Sequence, residues 1–221
     1  YYMDTITIEG TTAWCNPFEP NKEYEKLHGV YDVAIVVEQE RAEKLCEYLD
    51  ELAQKKLDQA IKDAPENKRK QLAESLSIAK AGSPAKDKDG NDTSNILIKA
   101  KLKPVVQKKD GTFFTQKTTV FDGKLNPIVD AVKIGRGSHV KIVVEPYPYV
   151  MLNTKQVGVS LRFWKLQILN LAEEKEDTGG LEAVDGGYVH KAITKDNNQE
   201  ARFEDDIPKA SQDSDDDERD F

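Results

Sequence analysis

Hydrophobic and polar positions alternate over two long stretches between residues 132 and 171. Residues 139–145 place valine and isoleucine on one face of an extended chain, which predicts a half-buried strand. A second strand is predicted from Val157. Its apolar phase changes at Phe163 and Trp164, as expected for a bulge in a strand that wraps around a small closed sheet.

The segment between these strands has the sequence Pro-Tyr-Pro-Tyr at 146–149. Proline fixes φ and favours extended geometry in the residue before it, so the pattern predicts a stiff turn that presents two rings. Basic side chains surround this turn in the predicted hairpin: Lys141, Lys155 and Arg162. The combination suggests a surface on which nucleic-acid bases could stack.

Other stretches share the period of two. Residues 29–37, 95–102 and 112–121 predict strands, and residues 5–14 alternate more weakly. In the stretch 95–102 the apolar residues fall on one face. The opposite face and the residue that follows carry a row of lysines: Lys99, Lys101 and Lys103.

The period changes to about 3.6 residues after residue 39, which predicts an amphipathic helix to about residue 64. A second helix is predicted over residues 66–81, where Gly82 ends it. Residues 82–95 have the composition of an exposed, flexible loop. Residues 15–28, rich in proline, asparagine and charge, predict a long loop after the first strand.

The charge is unevenly distributed along the chain. The formal net charge is −8, yet residues 96–172 carry 13 basic against 4 acidic side chains, and residues 173–221 carry 6 against 17. A basic β-rich segment beside an acidic end points toward a polyanionic ligand. The alternative is a solvated basic face beside a solubilising tail. Residues 173–221 contain few large apolar side chains, which predicts a disordered tail.

Several kinds of chemistry are disfavoured. Cys15 and Cys46 are too few for a disulfide framework, and His28, His139 and His190 lack the spacing of metal ligands. We find no nucleophile motif with a histidine partner. We therefore expect neither an enzyme nor a cofactor.

The glycine-rich turn and the length of the apolar runs argue against two further classes, nucleoside-triphosphate-binding proteins and membrane-spanning proteins. The Gly-Arg-Gly-Ser segment at 135–138 lacks the Lys-Ser/Thr pair of a triphosphate-binding loop. We expect a tight turn whose Arg136 could touch a phosphate. No apolar run approaches the length of a membrane span, so we expect a soluble, unexported protein.

Together these elements predict a mainly β domain over residues 3–172 with a helical insertion at about 39–81. Five to six strands would close into a Greek-key barrel, the OB-fold, followed by the acidic tail at 173–221. OB-folds bind oligonucleotides through one sheet face and two flanking loops. The predicted loops at 15–28 and 146–155 would occupy those two positions.

One run of the sequence carries a more specific resemblance. Residues 134–171 contain a Gly-x-Gly-Ser turn, a basic strand, Glu-Pro-Tyr, an Asn-Thr pair and Val-Gly-Val-Ser-Leu. Gly-Val-Tyr-Asp-Val at 29–33, the lysine-bearing stretch 95–121 and the acidic end at Asp220 and Phe221 agree with it. In these features the chain resembles the single-stranded DNA-binding proteins of short-tailed lytic coliphages.

The resemblance implies a replication protein that coats single-stranded DNA, acts in DNA replication, recombination and repair, often dimerises, and works in the cytoplasm of the infected bacterium. It also implies that the tail contacts the phage DNA polymerase and primase-helicase, and that it competes with DNA for the basic groove. The partner-binding tip would comprise Asp215, Asp216, Asp217, Glu218, Asp220 and Phe221.

We therefore predict a non-catalytic, single-stranded DNA-binding protein. Phosphates would be neutralised by Lys99, Lys101, Lys103, Lys117, Arg136, Lys141 and Lys155. Bases would stack on Trp14, Phe18, Tyr147 and Tyr149, joined by Phe113 or Phe114 according to the register of their strand. Two alternatives stay open: an RNA-binding OB module, and a protein-interaction adaptor that binds no nucleic acid.

Overall fold

The structure, a computed structural model, describes residues 4–23 and 25–172. Residues 173–221, with the predicted partner-binding tip from Asp215 to Phe221, lie outside the described residues, as does the domain boundary expected after residue 172.

The described residues form ten strands and two helices in chain order. The strands are β1 (Ile6–Asn21), β2 (Val30–Val37), β3 (Ser77–Ile78), β4 (Ser83–Lys86), β5 (Asp92–Leu102), β6 (Val105–Gln107), β7 (Phe113–Thr115), β8 (Thr119–Phe121), β9 (His139–Met151) and β10 (Gln156–Asn170). The helices are α1 (Gln39–Asp63) and α2 (Glu66–Ser75).

Five of these strands close into a barrel. Strand β1 pairs antiparallel with both β2 and β9, β2 pairs with β5, and β9 pairs with β10. The circle is completed where Arg162 of β10 lies beside Lys101 of β5 in a parallel pair. This strand order is that of the OB-fold, as predicted. The helices enter between the second and third barrel strands, also as predicted.

Alternation along the strands explains the core. Residues 98–102 of β5 alternate between apolar side chains directed inward and lysines directed outward. The other barrel strands contribute aliphatic and aromatic side chains to the same interior, all at most 2% exposed: Val33, Ile35, Val140, Ile142, Val144, Phe163 and Leu166. Helix α1 covers one side of the barrel through Ala42, Leu49 and Ala53.

The predicted bulge in the last strand is confirmed. Phe163 lies opposite Val144 and Lys165 opposite Val143, so Trp164 is the extra residue of β10. The bulge keeps apolar side chains directed inward on both sides of it, since Phe163 and Leu166 are both fully buried.

Two predicted loops are strands in the structure, and these predictions were wrong. Strand β1 continues through the first half of the interval 15–28, to Asn21, because it stays paired with β2 past a bulge near Ala13. The segment 146–149 is also strand, since β9 runs to Met151 and pairs with β10 throughout. Proline is tolerated there because β1 pairs with β9 only up to Val144 and leaves that edge open.

Three other boundaries differ from the predictions. The stretch 112–121 is broken into β7, which forms a separate hairpin with β6, and β8, which pairs with β10. The interval 82–95 is not one loop, because β4 and the start of β5 pair within it. The second helix ends at Ser75, and the chain then forms β3 beside β10.

Candidate nucleic-acid interface

A groove lies on the outside of the barrel where β5 and β10 meet. It has a volume of about 520 Å³ and is open to solvent. Its charged and aromatic lining residues are Lys99, Lys101, Lys103, Phe114, Tyr147 and Arg162. We call this surface the seam groove, because the barrel closes there through the single pair of Lys101 and Arg162.

The lysines of the seam groove owe their position to the strand period. Ile98, Ala100 and Leu102 are each 1% exposed and point into the core. The alternate residues must then point outward, which places Lys99 and Lys101 on the barrel surface, followed by Lys103 just after the strand. The predicted lysine row is therefore confirmed as a structural feature.

Tyr147 and Arg162 form one wall of the groove. The Arg162 guanidinium carbon lies 3.9 Å from the centre of the Tyr147 ring, a stacked cation–π arrangement. Arg162 also donates to the Glu145 carboxylate at 3.4 Å, and the Trp164 indole nitrogen donates to the other Glu145 oxygen at 2.9 Å. Glu145 is buried. The carboxylate thus holds a cation and a ring in fixed positions beneath the groove.

A similar arrangement surrounds Trp14 on the neighbouring strands. The Trp14 indole nitrogen donates to Asp32 at 2.8 Å, and the Asn16 amide donates to the other Asp32 oxygen at 2.9 Å. Asp32 is buried, whereas Trp14 is 39% exposed. The Lys99 ammonium lies 5.3 Å from the centre of the Trp14 ring. Trp14 is therefore an exposed ring with a fixed edge, next to a cation of the seam groove.

The two carboxylates belong to one lateral row of polar residues across the barrel. Neighbouring strands align Asn16 with Asp32, Asp32 with Lys101, Lys101 with Arg162, and Arg162 with Glu145. Opposite charges on adjacent strands attract. The row therefore orients the two central cations without placing a carboxylate among the lining residues of the seam groove.

The thiol beside Trp14 adds no charge to this surface. Burial, and then the negative charge of Asp32, raise the pKa of Cys15 to about 12. The thiol consequently stays neutral and unreactive at physiological pH.

Two predicted residues lie at a different depression. Phe18 and Arg136 line a concavity of about 520 Å³ between β1 and the segment 131–136, and Trp14 lines it as well. Gly137 adopts φ +88° in the tight turn after Arg136. Thr12 fixes that turn by donating to the Gly135 carbonyl at 2.7 Å, so the predicted turn is confirmed.

Lys141 is on another face of the barrel. Its ammonium lies 3.5 Å from the Glu9 carboxylate, which also faces His139 at 3.1 Å and Arg41 at 3.8 Å. The structure does not bring Lys141 together with the lysines of β5.

The remaining predicted residues do not line the seam groove. Tyr149 lies over Gly158, where an added Cβ would come 2.8 Å from the Tyr149 hydroxyl. Lys155 has φ 54° in the tight turn between β9 and β10, and Lys117 lies between β7 and β8. Phe113 is 65% exposed, but it is Phe114 that faces the groove.

Among the charged and aromatic lining residues, Arg162 was missing from the predicted set, and Phe114 was predicted only as an alternative to Phe113. The sequence marks Arg162 only as a basic neighbour of the tyrosines, although it occupies an outward position on its strand. The choice between Phe113 and Phe114 needed the register of β7, which β6 supplies by placing Val106 opposite Phe114. The carboxylates of Asp32 and Glu145 could have been sought as partners of the two tryptophans, but no spacing in the sequence links them.

Two further features of the described residues bear on function. No group of three or more His, Cys, Asp or Glu side chains within 4–23 and 25–172 is arranged to hold a metal ion. Neither helix in that part of the chain is long and apolar enough to cross a membrane.

Comparison with known proteins gives a structural likeness. No family model matches the chain, and no curated protein matches it. Among solved structures, gp2.5, the single-stranded DNA-binding protein encoded by bacteriophage T7, superposes with a TM-score of 0.61. That match covers 83% of this chain and all of the T7 chain, at 18% sequence identity. The chain has the fold of this phage protein. The structural neighbours are thus phage single-stranded DNA-binding proteins, as the sequence resemblance suggested.

A second phage protein is among the similar structures. The single-stranded DNA-binding protein of bacteriophage Enc34, solved in complex with single-stranded DNA, matches with a TM-score of 0.47 and 10% identity. The match covers 76% of this chain and 88% of the Enc34 chain.

Proposed function

We propose that this protein binds single-stranded DNA in the seam groove. The observation that carries the proposal is the presence of rings and cations together on one concave surface. Tyr147 and Phe114 line the groove together with the lysines of β5 and Arg162. Cations along a groove, with rings on which successive bases stack, are the features that bind single strands without sequence preference.

We assign separate tasks to the two kinds of side chain. Lys99, Lys101, Lys103 and Arg162 would neutralise phosphates, which supplies affinity that depends on salt. Tyr147 and Phe114, which are 43% and 39% exposed, would stack with bases. Stacking of this kind contributes about 1–3 kcal/mol per base. The fold shared with the T7 protein supports the same assignment, since OB-folds bind oligonucleotides on the face of their second and third strands, and β5 is the third barrel strand here.

A titration with fluorescent oligonucleotides at several salt concentrations tests the proposal. Single-stranded DNA should bind far more tightly than duplex, because paired and stacked bases cannot reach the rings. If each of the four cations meets a phosphate, the logarithm of affinity should fall against the logarithm of salt with a slope of about −3.

The same titration distinguishes the alternatives. Tighter binding to RNA of the same sequence would favour an RNA-binding module. Failure to bind any single strand at low salt would contradict the proposal and favour a protein-interaction adaptor.

We propose in addition that residues 173–221 act as a competing polyanion and a docking segment in phage DNA replication. Support comes from their charge, 6 basic against 17 acidic residues, set against the basic segment 96–172. A chain that ends at Ala172, added to the same titration, should bind more tightly at low salt and equally at high salt, because salt screens such competition. Equal affinity at low salt would leave only the docking role. Loss of binding to the phage polymerase or primase-helicase after removal of residues 213–221 would support that role.

A further inference from the structure

Trp14 stands between two depressions of similar size and opposite electrostatic character. Both are lined by Trp14, and they have volumes of about 510 and 520 Å³. The first, the acidic depression, is lined by Glu19, Glu23 and Asp32, with no lysine or arginine among its described lining residues. The second, the arginine depression, is lined by Phe18, Lys133 and Arg136, and Glu19 is the single carboxylate among the described residues that line it.

Trp14 also lies close to the seam groove. The Lys99 ammonium, which lines the groove, lies 5.3 Å from the centre of the Trp14 ring. The hydrogen bond from the indole to buried Asp32 fixes the edge of the ring, so the ring remains exposed in a defined position. A strand that leaves the groove past Lys99 meets this ring first.

The charges of the two depressions favour one path for a strand that continues beyond Trp14. Each nucleotide carries a phosphate with a full negative charge, and three carboxylates repel it from the acidic depression. The arginine depression offers a guanidinium at Arg136, suited to phosphate, and an apolar wall at Phe18. Cys15, which also lines it, is neutral and adds no repulsion.

We infer that single-stranded DNA continues from the seam groove across Trp14 into the arginine depression, where Arg136 binds a phosphate and Trp14 stacks with a base. This inference rests on the proposed function and extends its footprint. The binding site is then longer than the seam groove alone, and it bends around the outside of β1.

The test compares two oligonucleotide lengths with one substitution at the distal depression. Wild-type protein and Arg136→Ala are titrated with oligothymidine of about 5 and about 12 nucleotides, lengths within the range that single OB-folds occupy. Arg136→Ala should weaken binding of the longer strand about three- to fivefold. It should also make its salt slope less negative by about 0.7, the value of one phosphate contact on a single strand. Binding of the shorter strand, which the groove accommodates, should change by less than twofold.

Two control substitutions make the result specific. Lys55→Ala removes one exposed cation from α1, outside these surfaces, and should affect neither length. Lys103→Ala removes a cation of the seam groove and should weaken both lengths.

Each outcome of this test is informative. An equal loss on both lengths for Arg136→Ala, or a loss no larger than that of Lys55→Ala, would overturn the inference and leave the seam groove as the whole site. Wild-type protein that binds neither length would instead overturn the proposed function. As a second measurement, Glu23→Lys places a cation in the acidic depression. If Glu23→Lys strengthens binding of the longer strand by a larger factor than Arg136→Ala weakens it, the strand takes the acidic route and the inference is overturned.

Discussion

Two outer faces of the barrel carry basic side chains at alternate strand positions, yet the residues around those side chains differ. On the seam groove, the lysines of β5 lie among exposed rings. Elsewhere on the barrel, where β1 pairs with β9, Lys141 lies with Arg41 and His139 around the Glu9 carboxylate. We call this second surface the Glu9 face. From the sequence alone, Lys141 and Lys101 have the same pattern around them.

The difference lies in the residues on the neighbouring strands. Glu9 lies directly opposite Lys141 in the antiparallel pair of β1 and β9, so its charge is placed against the cations of that face. Beside the seam groove the nearby carboxylates, Asp32 and Glu145, are buried and accept hydrogen bonds from indole nitrogens. A lysine on a strand is therefore interpretable only once its cross-strand neighbours are known.

Among the changes that test this comparison, removal of the seam-groove rings should have the largest effect on affinity for single-stranded DNA. The double substitution Tyr147→Ala and Phe114→Ala should weaken binding to single-stranded DNA by more than about a hundredfold, because stacking contributes about 1–3 kcal/mol per base. The salt slope should stay the same, since no charge is removed. Fluorescence titration at three salt concentrations measures both quantities.

Tyr48→Ala is the matched control for that substitution. Tyr48 is a partly exposed ring on α1, outside the seam groove, and its removal should leave affinity within about twofold. A similar loss in both proteins would mean that the rings act through stability. A thermal unfolding midpoint measured beside each titration separates the two effects.

The barrel was largely predictable from the sequence because each strand satisfies a strong local rule. Apolar residues alternate in β2, β5, β9 and β10, and the phase change at Trp164 even located the bulge. The errors arose where pairing overrides local composition. Pro146 and Pro148 favour a turn by themselves, but a strand edge without a partner tolerates proline, so β9 continues through them.

Neutralisation of matched lysine pairs should give an intermediate effect. Lys99→Gln with Lys103→Gln, in the seam groove, should weaken binding about tenfold near 0.1 M salt. It should also make the salt slope less negative by about 1.4, because two phosphates would no longer be neutralised by lysine. Lys44→Gln with Lys141→Gln removes the same charge beside Glu9 and should change affinity by less than about twofold. Equal losses would show that binding follows net charge alone and that the two faces do not differ.

The site was less predictable than the fold because it is assembled from residues distant in the sequence. Lys99 and Tyr147 do lie at one surface, as expected. The strand period placed Lys99, whereas Tyr147 was expected in a turn and lies in β9. Arg162 was not among the expected binding residues, because its importance depends on its stacking with Tyr147 and its pairing with Lys101 across the closure. Closure of the barrel brings β5 and β10 together, and local sequence patterns do not predict which strands become neighbours in this way.

The smallest predicted effect tests the Glu9 face directly. In Glu9→Gln, the carboxamide keeps the shape of the side chain but no longer compensates Arg41 and Lys141, so those cations become available to phosphates. Affinity for single-stranded DNA should rise by about twofold at low salt and be unchanged at high salt, as expected for a weak, screened attraction. The same change should lower stability by less than about 1 kcal/mol, because these ion pairs are solvent-exposed. Titration at two salt concentrations, with a denaturant unfolding curve, measures both. A tenfold or greater rise in affinity would mean that this face is a second path for DNA held closed by Glu9, and the contrast between the two faces would then be one of regulation.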